Sequence, residues 1–177
     1  RPYTIKGSYG GVDQKPDDIT ALGITGPVSL VACAPVIISD LAVDTRLTGD
    51  NAAEVAVDLE ADGQPETDCF WEATLSPHNF SAPEHLRVRL PLAGAKSRVV
   101  IPVKNPQLWW TWDHGRPNLY TLQVRLVDAS GQVLDAQTLA VGIREIERVG
   151  WTFYLNRKRL FIRGTNYYYH LFMSEMD

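Results

Sequence analysis

Apolar and polar residues alternate with a period of two in seven short segments between residues 36 and 147. In "AEVAVDLEA", Val55, Val57 and Leu59 fall on one side of an extended chain. In "LRVRLPL", the apolar residues fall on one side and the two arginines on the other. This alternation is typical of strands that bury one face and expose the other. The pattern therefore predicts antiparallel sheets.

The predicted strands are short and are separated by turn-forming sequences such as "TGDN", "ADGQP" and "DASGQ". They cover residues 37–47, 53–61, 69–75, 86–92, 98–103, 120–128 and 133–143. Seven strands in a segment of roughly 100 residues are typical of an immunoglobulin-like β-sandwich. We therefore predict an all-β fold, with this sandwich spanning residues 35–147. We also expect Trp71 in its core, because Trp71 shares a strand face with Cys69, Ala73 and Leu75.

The sequence on either side of the predicted sandwich has a different character. Residues 1–34 are rich in Gly, Pro and Asp and contain one further predicted strand, "VSLVA" at residues 28–32. After Gly150, the sequence predicts a hairpin made of strand "TFYL", turn "NRKR" and strand "LFIRG", and "LFMSEMD" is the expected start of a helix. We expect both ends to belong to other domains, and the chain to be either a processed product or an excised fragment.

Composition excludes several classes of function. The chain has 177 residues, a net charge of −4 and no dense Lys/Arg cluster, so we expect neither nucleic acid nor a membrane surface as partner. No apolar run approaches the roughly 20 residues that span a bilayer. Four histidines lack metal-ligand spacing, and the sequence predicts no metal and no cofactor. The compartment is left open.

Two cysteines occur in separate strand-like segments, and we expect them not to be bonded to each other. Cys33 lies near the start of the chain and Cys69 opens a strand in the middle of the predicted sandwich. Buried cysteines commonly behave as small apolar residues. "NFS" at residues 79–81 also fits the pattern of a glycosylation acceptor, which has meaning only in a eukaryotic secretory route.

The chain shows no complete catalytic constellation. There is no GxSxG nucleophile elbow, no HExxH motif and no carboxylate pair that stands out as an acid/base couple. The most unusual stretch is "LWWTWDHGRPNLY", with Trp109, Trp110 and Trp112 close together. These rings could form an exposed platform for a sugar, since aromatic faces stack on flat apolar faces. They could instead pack under the end of the sandwich with their indole N–H groups bonded to loop carbonyls, and we favour this second interpretation.

The same stretch resembles a signature of glycoside hydrolase family 2, which includes β-galactosidases, β-mannosidases, β-glucuronidases and exo-β-glucosaminidases. The matching residues are Leu108, Trp109, Trp110, Gly115, Pro117, Leu119 and Tyr120. "VGIREIE", "FYLNRKRLFIRGTNYYYH" and "KPDDITALGITGPVSLVA" are similar to other elements of that family, in the same order along the chain. The chain departs from the pattern at Thr25, Thr111, Val141 and Arg157.

The resemblance implies a domain order. Residues 1–34 would end a sugar-binding jelly roll, residues 35–147 would form the immunoglobulin-like sandwich, and residues 148–177 would begin a catalytic (β/α)₈ barrel. The family's acid/base and nucleophile glutamates lie on later barrel strands, so the resemblance assigns no catalytic residue to this chain. It implies substrate-binding roles for Asn166 and His170 only, in the complete enzyme. The implied substrate is a β-linked glycoside, and the implied neighbours are the jelly roll and the barrel.

This interpretation makes the chain a non-catalytic spacer of a retaining exo-glycosidase. Two alternatives stay open from the sequence. One is a free-standing carbohydrate-binding sandwich that uses the tryptophans as its platform. The other is an immunoglobulin-type interaction domain with no link to sugars.

Overall fold

The computed structural model describes residues 26–30, 32–83 and 85–164. The chain divides into two compact units, one formed by Ala32–Ile162 and the other by Arg1–Val31 with Arg163–Asp177. The strands described below all belong to the unit Ala32–Ile162. Asn166 and His170 lie outside the described residues, so their predicted roles stay predictions.

Ten strands form three antiparallel sheets in the described part of the chain. In chain order they are β1 (Val36–Gly49), β2 (Ala52–Gly63), β3 (Cys69–Pro77), β4 (Leu86–Pro91), β5 (Lys96–Lys104), β6 (Tyr120–Asp128), β7 (Val133–Val141), β8 (Ile146–Val149), β9 (Thr152–Leu155) and β10 (Lys158–Leu160). The first sheet has the order β1-β2-β5 and the second the order β4-β3-β6-β7. The third, smaller sheet has the order β10-β9-β8. The described residues contain no helix.

The first two sheets pack face to face and enclose one apolar core. Alternate residues of β2, β3, β5 and β6 are buried between them, as the sequence pattern predicted. Trp71 is fully buried at 0% exposure, and its indole N–H donates a hydrogen bond across the core to Ser97 Oγ at 3.1 Å. The seven-stranded sandwich and the position of Trp71 are therefore confirmed.

Side chains tie the edge strands β1 and β7 together where the two sheets meet. Asp135 Oδ2 accepts the main-chain N–H of Ile38 at 2.8 Å, and the Gln137 side chain donates to the carbonyl of Ile38. Further along, Thr45 Oγ1 donates to the carbonyl of Arg144 at 2.7 Å and accepts its N–H at 3.2 Å. These bonds satisfy main-chain groups that an edge strand would otherwise leave to solvent.

The small sheet differs in detail from the hairpin predicted from sequence. The turn contains only Asn156 and Arg157, and the second strand is β10, so the predicted turn "NRKR" and strand "LFIRG" were wrong in their limits. Asn156 and Arg157 have φ values of 49° and 66°. Two consecutive positive φ angles define the type I′ turn, whose twist suits a two-residue hairpin. The sequence analysis also missed β8, which pairs with β9.

The predicted strand at residues 28–32 was wrong for the described residues. Residues 26–30 and 32 are not in a strand, and Val28 and Leu30 are exposed at 80% and 102%. Apolar alternation alone does not make a strand, because a strand needs hydrogen bonds to a neighbouring chain segment.

The two cysteines lie in different surroundings and are not joined. Cys33 is exposed and Cys69 is buried. Burial raises the pKa of the Cys69 thiol, and the nearby carboxylates of Asp128 and Asp68 raise it further. Cys69 therefore has the properties of a structural core residue and not those of a reactive nucleophile.

Candidate functional site at the tryptophan junction

The loop between β5 and β6 folds back on itself at one end of the sandwich. Trp109 and Pro117 form an isolated antiparallel bridge, and the Trp110 N–H donates to the carbonyl of Arg116 at 3.1 Å. The N–H groups of His114 and Gly115 both donate to the carbonyl of Thr111, at 2.9 and 3.0 Å. We call this loop, together with residues 142–145 and the β9–β10 hairpin, the tryptophan junction.

Trp109 is half-buried against the chain that leaves β7. Its main-chain N–H donates to the carbonyl of Ile143 at 2.9 Å. A Cβ atom at Gly142 would lie 2.9 Å from the Trp109 side chain, so only glycine permits this close approach. The Arg144 guanidinium covers the ring, with its central carbon 4.6 Å from the ring centroid. Trp109 thus packs closely against Gly142 and has Arg144 over its ring.

Trp110 is also half-buried and has a similar set of neighbours. A Cβ atom at Gly115 would lie 2.9 Å from the ring, and the Lys158 ammonium lies 4.8 Å from the ring centroid. The His114 ring is nearly parallel to that of Trp110, at an interplanar angle of 9°. Lys158 opens β10, so this cation–π contact links the loop to the hairpin.

Asn156 is the residue on which three segments of the junction meet. It is 7% exposed and occupies the first position of the hairpin turn. Its main-chain N–H donates to the carbonyl of Glu145 at 2.8 Å, and its side-chain oxygen accepts the N–H of Glu145 at 2.9 Å. Its side-chain amide donates to the carbonyl of Trp109 at 3.0 Å. One buried side chain therefore joins the hairpin, the exit from β7 and the tryptophan loop.

Three further contacts fix the hairpin to the sandwich and to the tryptophan loop. Arg157 pairs with Asp50 at 3.3 Å, in the turn between β1 and β2, and with Glu145 at 3.6 Å. His114 Nε2 lies 3.3 Å from the carbonyl of Arg159 in β10. The two ion pairs of Arg157 are partly exposed to solvent, so each contributes little to stability by itself. Together with Asn156 they define one orientation of the hairpin.

The electrostatics of the loop do not suit a catalytic acid. Hydrogen bonds from Thr111 and His114 hold the pKa of Asp113 below its usual range. A carboxyl group with a lowered pKa stays ionised at neutral pH, whereas the acid of a glycosidase needs a raised pKa. Within the described residues, no group of His, Cys, Asp or Glu side chains has an arrangement that could hold a metal ion.

The junction supports the structural interpretation for two of the three tryptophans. Trp109 and Trp110 pack against the fold, whereas Trp112 is 82% exposed. The hydrogen bonds of Trp109 and Trp110 use main-chain groups, and cations lie over their rings. The predicted bonds from indole N–H groups to loop carbonyls are therefore not what holds these side chains in place.

Sequence reasoning missed Asn156, Gly142 and Arg144 as members of this site. An Asn at a hairpin turn was a readable signal for positive φ. The sequence pattern could not predict the hydrogen bonds that Asn156 makes to Glu145 and Trp109, which lie in other segments of the chain.

The described residues define an all-β domain, an antiparallel sandwich of immunoglobulin type with a hairpin fixed to one end. The chain matches the model of the family described as "Glycosyl hydrolases family 2" over residues 36–144. This chain belongs to that family.

Two curated relatives are much longer than the chain. A protein of Formosa agariphila named "Putative beta-glucuronidase" is 31% identical over 170 residues, which are 86% of this chain and 18% of that protein. A protein of Erwinia tasmaniensis named "Beta-galactosidase" is 36% identical over 75 residues, which are 42% of this chain and 7% of that protein. The chain therefore spans less than a fifth of the length of these relatives.

Solved structures show the same fold at lower sequence identity. A β-glucuronidase from Ruminococcus gnavus in complex with D-glucuronic acid has a TM-score of 0.57 and 22% identity, covering 74% of this chain and 20% of that chain. A family 2 member from Bacteroides cellulosilyticus has a TM-score of 0.56 and 24% identity, covering 71% of this chain and 18% of that chain.

Among the residues described, no helix is long and apolar enough to cross a membrane.

Proposed function

We propose that this chain is the non-catalytic brace of a longer retaining β-glycosidase. The observation that carries the proposal is the junction at Asn156, which holds the hairpin at a defined position on the end of the sandwich. In this proposal residues 1–34 close a sugar-binding jelly roll, and residues 148–177 open the catalytic (β/α)₈ barrel. The brace sets where the barrel begins relative to the sandwich.

Family membership and the named relatives support the proposed reaction class. Relatives named as a β-glucuronidase and a β-galactosidase suggest that the longer protein hydrolyses a β-linked terminal sugar. Retaining enzymes use two carboxyl groups about 5 Å apart and a covalent intermediate. We place both carboxyl groups outside this chain, and we place Asn166 and His170 near the sugar subsite, as the resemblance implies.

The rim of a barrel active site tolerates little displacement, which gives the brace a catalytic consequence. A misplacement of about 1 Å of groups far from the chemistry can lower activity by roughly 100-fold. Loosening the hairpin that leads into the barrel should therefore lower turnover without removing a catalytic group.

The test is substitution of Asn156 in a longer protein that carries this chain and turns over an aryl β-glycoside. We expect Asn156→Ala to lower kcat/KM by at least about tenfold, because it removes both hydrogen bonds that the Asn156 side chain makes. Trp112→Ala is the matched control, since Trp112 lies in the same loop and is exposed. Unchanged kcat/KM in Asn156→Ala, with the protein folded, would contradict the bracing role.

A second candidate function rests on the exposure of Trp112. A single ring that is 82% exposed could stack on a sugar, although its two neighbours are enclosed. Titration with neutral oligosaccharides, followed by tryptophan fluorescence, should give no saturable change if the brace is the function. A saturable change that disappears in Trp112→Ala would favour a carbohydrate-binding role.

A further inference from the structure

The outer face of the four-stranded sheet carries an uneven set of charges. Cross-strand register places Arg89 opposite Glu72, and Glu72 opposite Arg125. The adjacent row contains Arg87, Thr74, Gln123 and Thr138 in register across the four strands. Three arginines thus surround one carboxylate on this face. We call Arg87, Arg89, Arg125 and Glu72 the arginine face.

Glu72 is buried beneath the three guanidinium groups. Its side chain is 8% exposed, and its oxygens lie 2.7 Å from Arg87, 3.8 Å from Arg89 and 3.7 Å from Arg125. The arginine side chains remain accessible, at 60%, 47% and 35% exposure. One carboxylate balances one of three positive charges, so the face carries a local excess of two.

The outer face of the three-stranded sheet is different, because Arg46, Lys96 and Arg98 each have an acidic partner on the neighbouring strand. Arg46 pairs with Glu54 at 2.6 Å, and Arg98 pairs with Asp58 at 2.8 Å. Lys96 lies 3.3 Å from Glu60. These cross-strand pairs neutralise one another, whereas the arginine face stays positive on a chain whose net charge is −4. The excess is therefore local and is not a property of the chain's composition.

The surroundings of the arginine face favour a hydroxyl-rich, acidic ligand. Arg89 lies over the ring of Phe70 at 4.3 Å, which leaves its guanidinium edge for hydrogen bonding. Thr74, Gln123 and Thr138 add hydroxyl and amide groups along the next row. Guanidinium forks match the two oxygens of a carboxylate or a sulfate.

Two other classes of partner fit this face less well. A stable protein interface needs an apolar core from which Glu, Asp and Lys are depleted, and this face has Glu72 at its centre. Nucleic-acid binding depends on phosphate contacts spread over a broad positive surface, and three arginines around one carboxylate form only a small one.

We propose that the arginine face is a binding site for an acidic oligosaccharide, recognised through its carboxylate or sulfate groups. The site lies on the sandwich itself and does not depend on the bracing role proposed above. It would hold a charged glycan chain without acting on it. Uronate and sulfate both present negatively charged oxygens to guanidinium groups, and the experiment below distinguishes the two.

Calorimetric titration of the purified 177-residue chain tests the proposal. The probes are a short oligogalacturonate, a sulfated dextran oligosaccharide and neutral dextran of similar length. We expect saturable binding of one or both acidic probes, weakened by salt, and none of neutral dextran. Arg125→Gln and Arg89→Gln should each weaken binding by about tenfold, the effect of losing one charge-assisted hydrogen bond. Arg98→Gln, on the opposite face, is the control and should bind as the original chain does.

Glu72→Gln provides an independent test, because it is expected to strengthen binding, whereas the arginine substitutions are expected to weaken it. It removes the charge that competes with the ligand, so acidic probes should bind more tightly if the variant retains the circular dichroism of the original chain. Equal binding by the Arg125→Gln, Arg98→Gln and original chains would overturn the proposal. So would an absence of saturable binding to either acidic probe, or binding explained entirely by self-association of the chain through this face.

Discussion

Trp71 and Trp109 lie in the two regions that hold the unit Ala32–Ile162 together, and their contacts differ in kind. Trp71 is fully buried among aliphatic side chains of both sheets and makes one hydrogen bond from its indole. Trp109 is half-buried, with a glycine beneath its side chain and a guanidinium over its ring. The core excludes water from a large apolar surface, while the junction fixes positions through directional contacts.

The core therefore provides most of the stability of the unit, and the junction sets the orientation of the hairpin. Burial of apolar surface is non-directional and provides most of the free energy of folding. Hydrogen bonds contribute less net stability but require particular distances and angles. We therefore expect core substitutions to unfold the whole unit. Junction substitutions should release the hairpin and leave the sandwich folded.

The largest effect is expected from Trp71→Ala. Truncating a buried aromatic side chain typically lowers the free energy of unfolding by about 3–5 kcal/mol. Denaturant titration followed by circular dichroism measures the change, and all sheets should unfold in one transition. A loss below about 1 kcal/mol would show that the core has relaxed around the cavity and does not depend on this ring.

Asn156→Ala should lower the free energy of opening the hairpin by about 2–3 kcal/mol. Two side-chain hydrogen bonds are lost, and alanine is placed at a positive φ angle. The loss should be local, so hydrogen exchange should accelerate in β9 and β10 but not in β3 or β6. Asn156→Gly separates the two causes, since glycine accepts a φ of 49° but makes no side-chain bonds. Equal protection of the hairpin in all three proteins would count against Asn156 as the link.

A smaller effect, of about 1–2 kcal/mol, is expected for Gly142→Ala, because the new Cβ would press on the side chain of Trp109. Gly94→Ala is the matched control, since a Cβ there meets nothing within 4 Å. Thermal unfolding of the two variants gives the comparison. If Gly94→Ala were as destabilising as Gly142→Ala, the close approach of Trp109 would not be the cause.

The smallest change is expected for Trp112→Ser. Surface substitutions away from specific contacts usually stay within about 0.5 kcal/mol. Trp112 is 82% exposed, so its removal should leave the unfolding transition of the sandwich in place. A larger loss of stability would mean that the Trp112 side chain packs against the folded protein in solution, as the side chains of Trp109 and Trp110 do.

The period-two pattern predicted the sandwich well because each of its strands buries one face. The limits of β6 were read directly from "YTLQVRLVD", and the inward position of Trp71 followed from its neighbours in the strand. The period-two pattern did not predict the limits of the hairpin, because the burial of one strand face does not decide the conformation there. The hairpin limits depend on positive φ at Asn156 and Arg157, and Arg157 is not a residue that predicts positive φ.

The candidate site was predicted only in part. The clustered tryptophans marked the loop, but the roles of Gly142, Arg144 and Asn156 depend on contacts between segments far apart in sequence. The arginine face was hidden for the same reason. Arg87 and Arg89 alternate as exposed strand residues should, and only the register across β3 brings them and Arg125 to Glu72.

Glycosidase activity of the purified chain tests the central claim most directly. The chain would be assayed at high concentration against aryl β-glucuronide, β-galactoside, β-mannoside and β-glucosaminide, beside a mock preparation. The bracing account predicts that every substrate stays intact, because it places outside this chain the acid and the nucleophile that a retaining glycosidase needs. Turnover of any substrate by the chain, absent from the mock preparation and retained in Asn166→Ala, would place an active site within these residues and contradict the account.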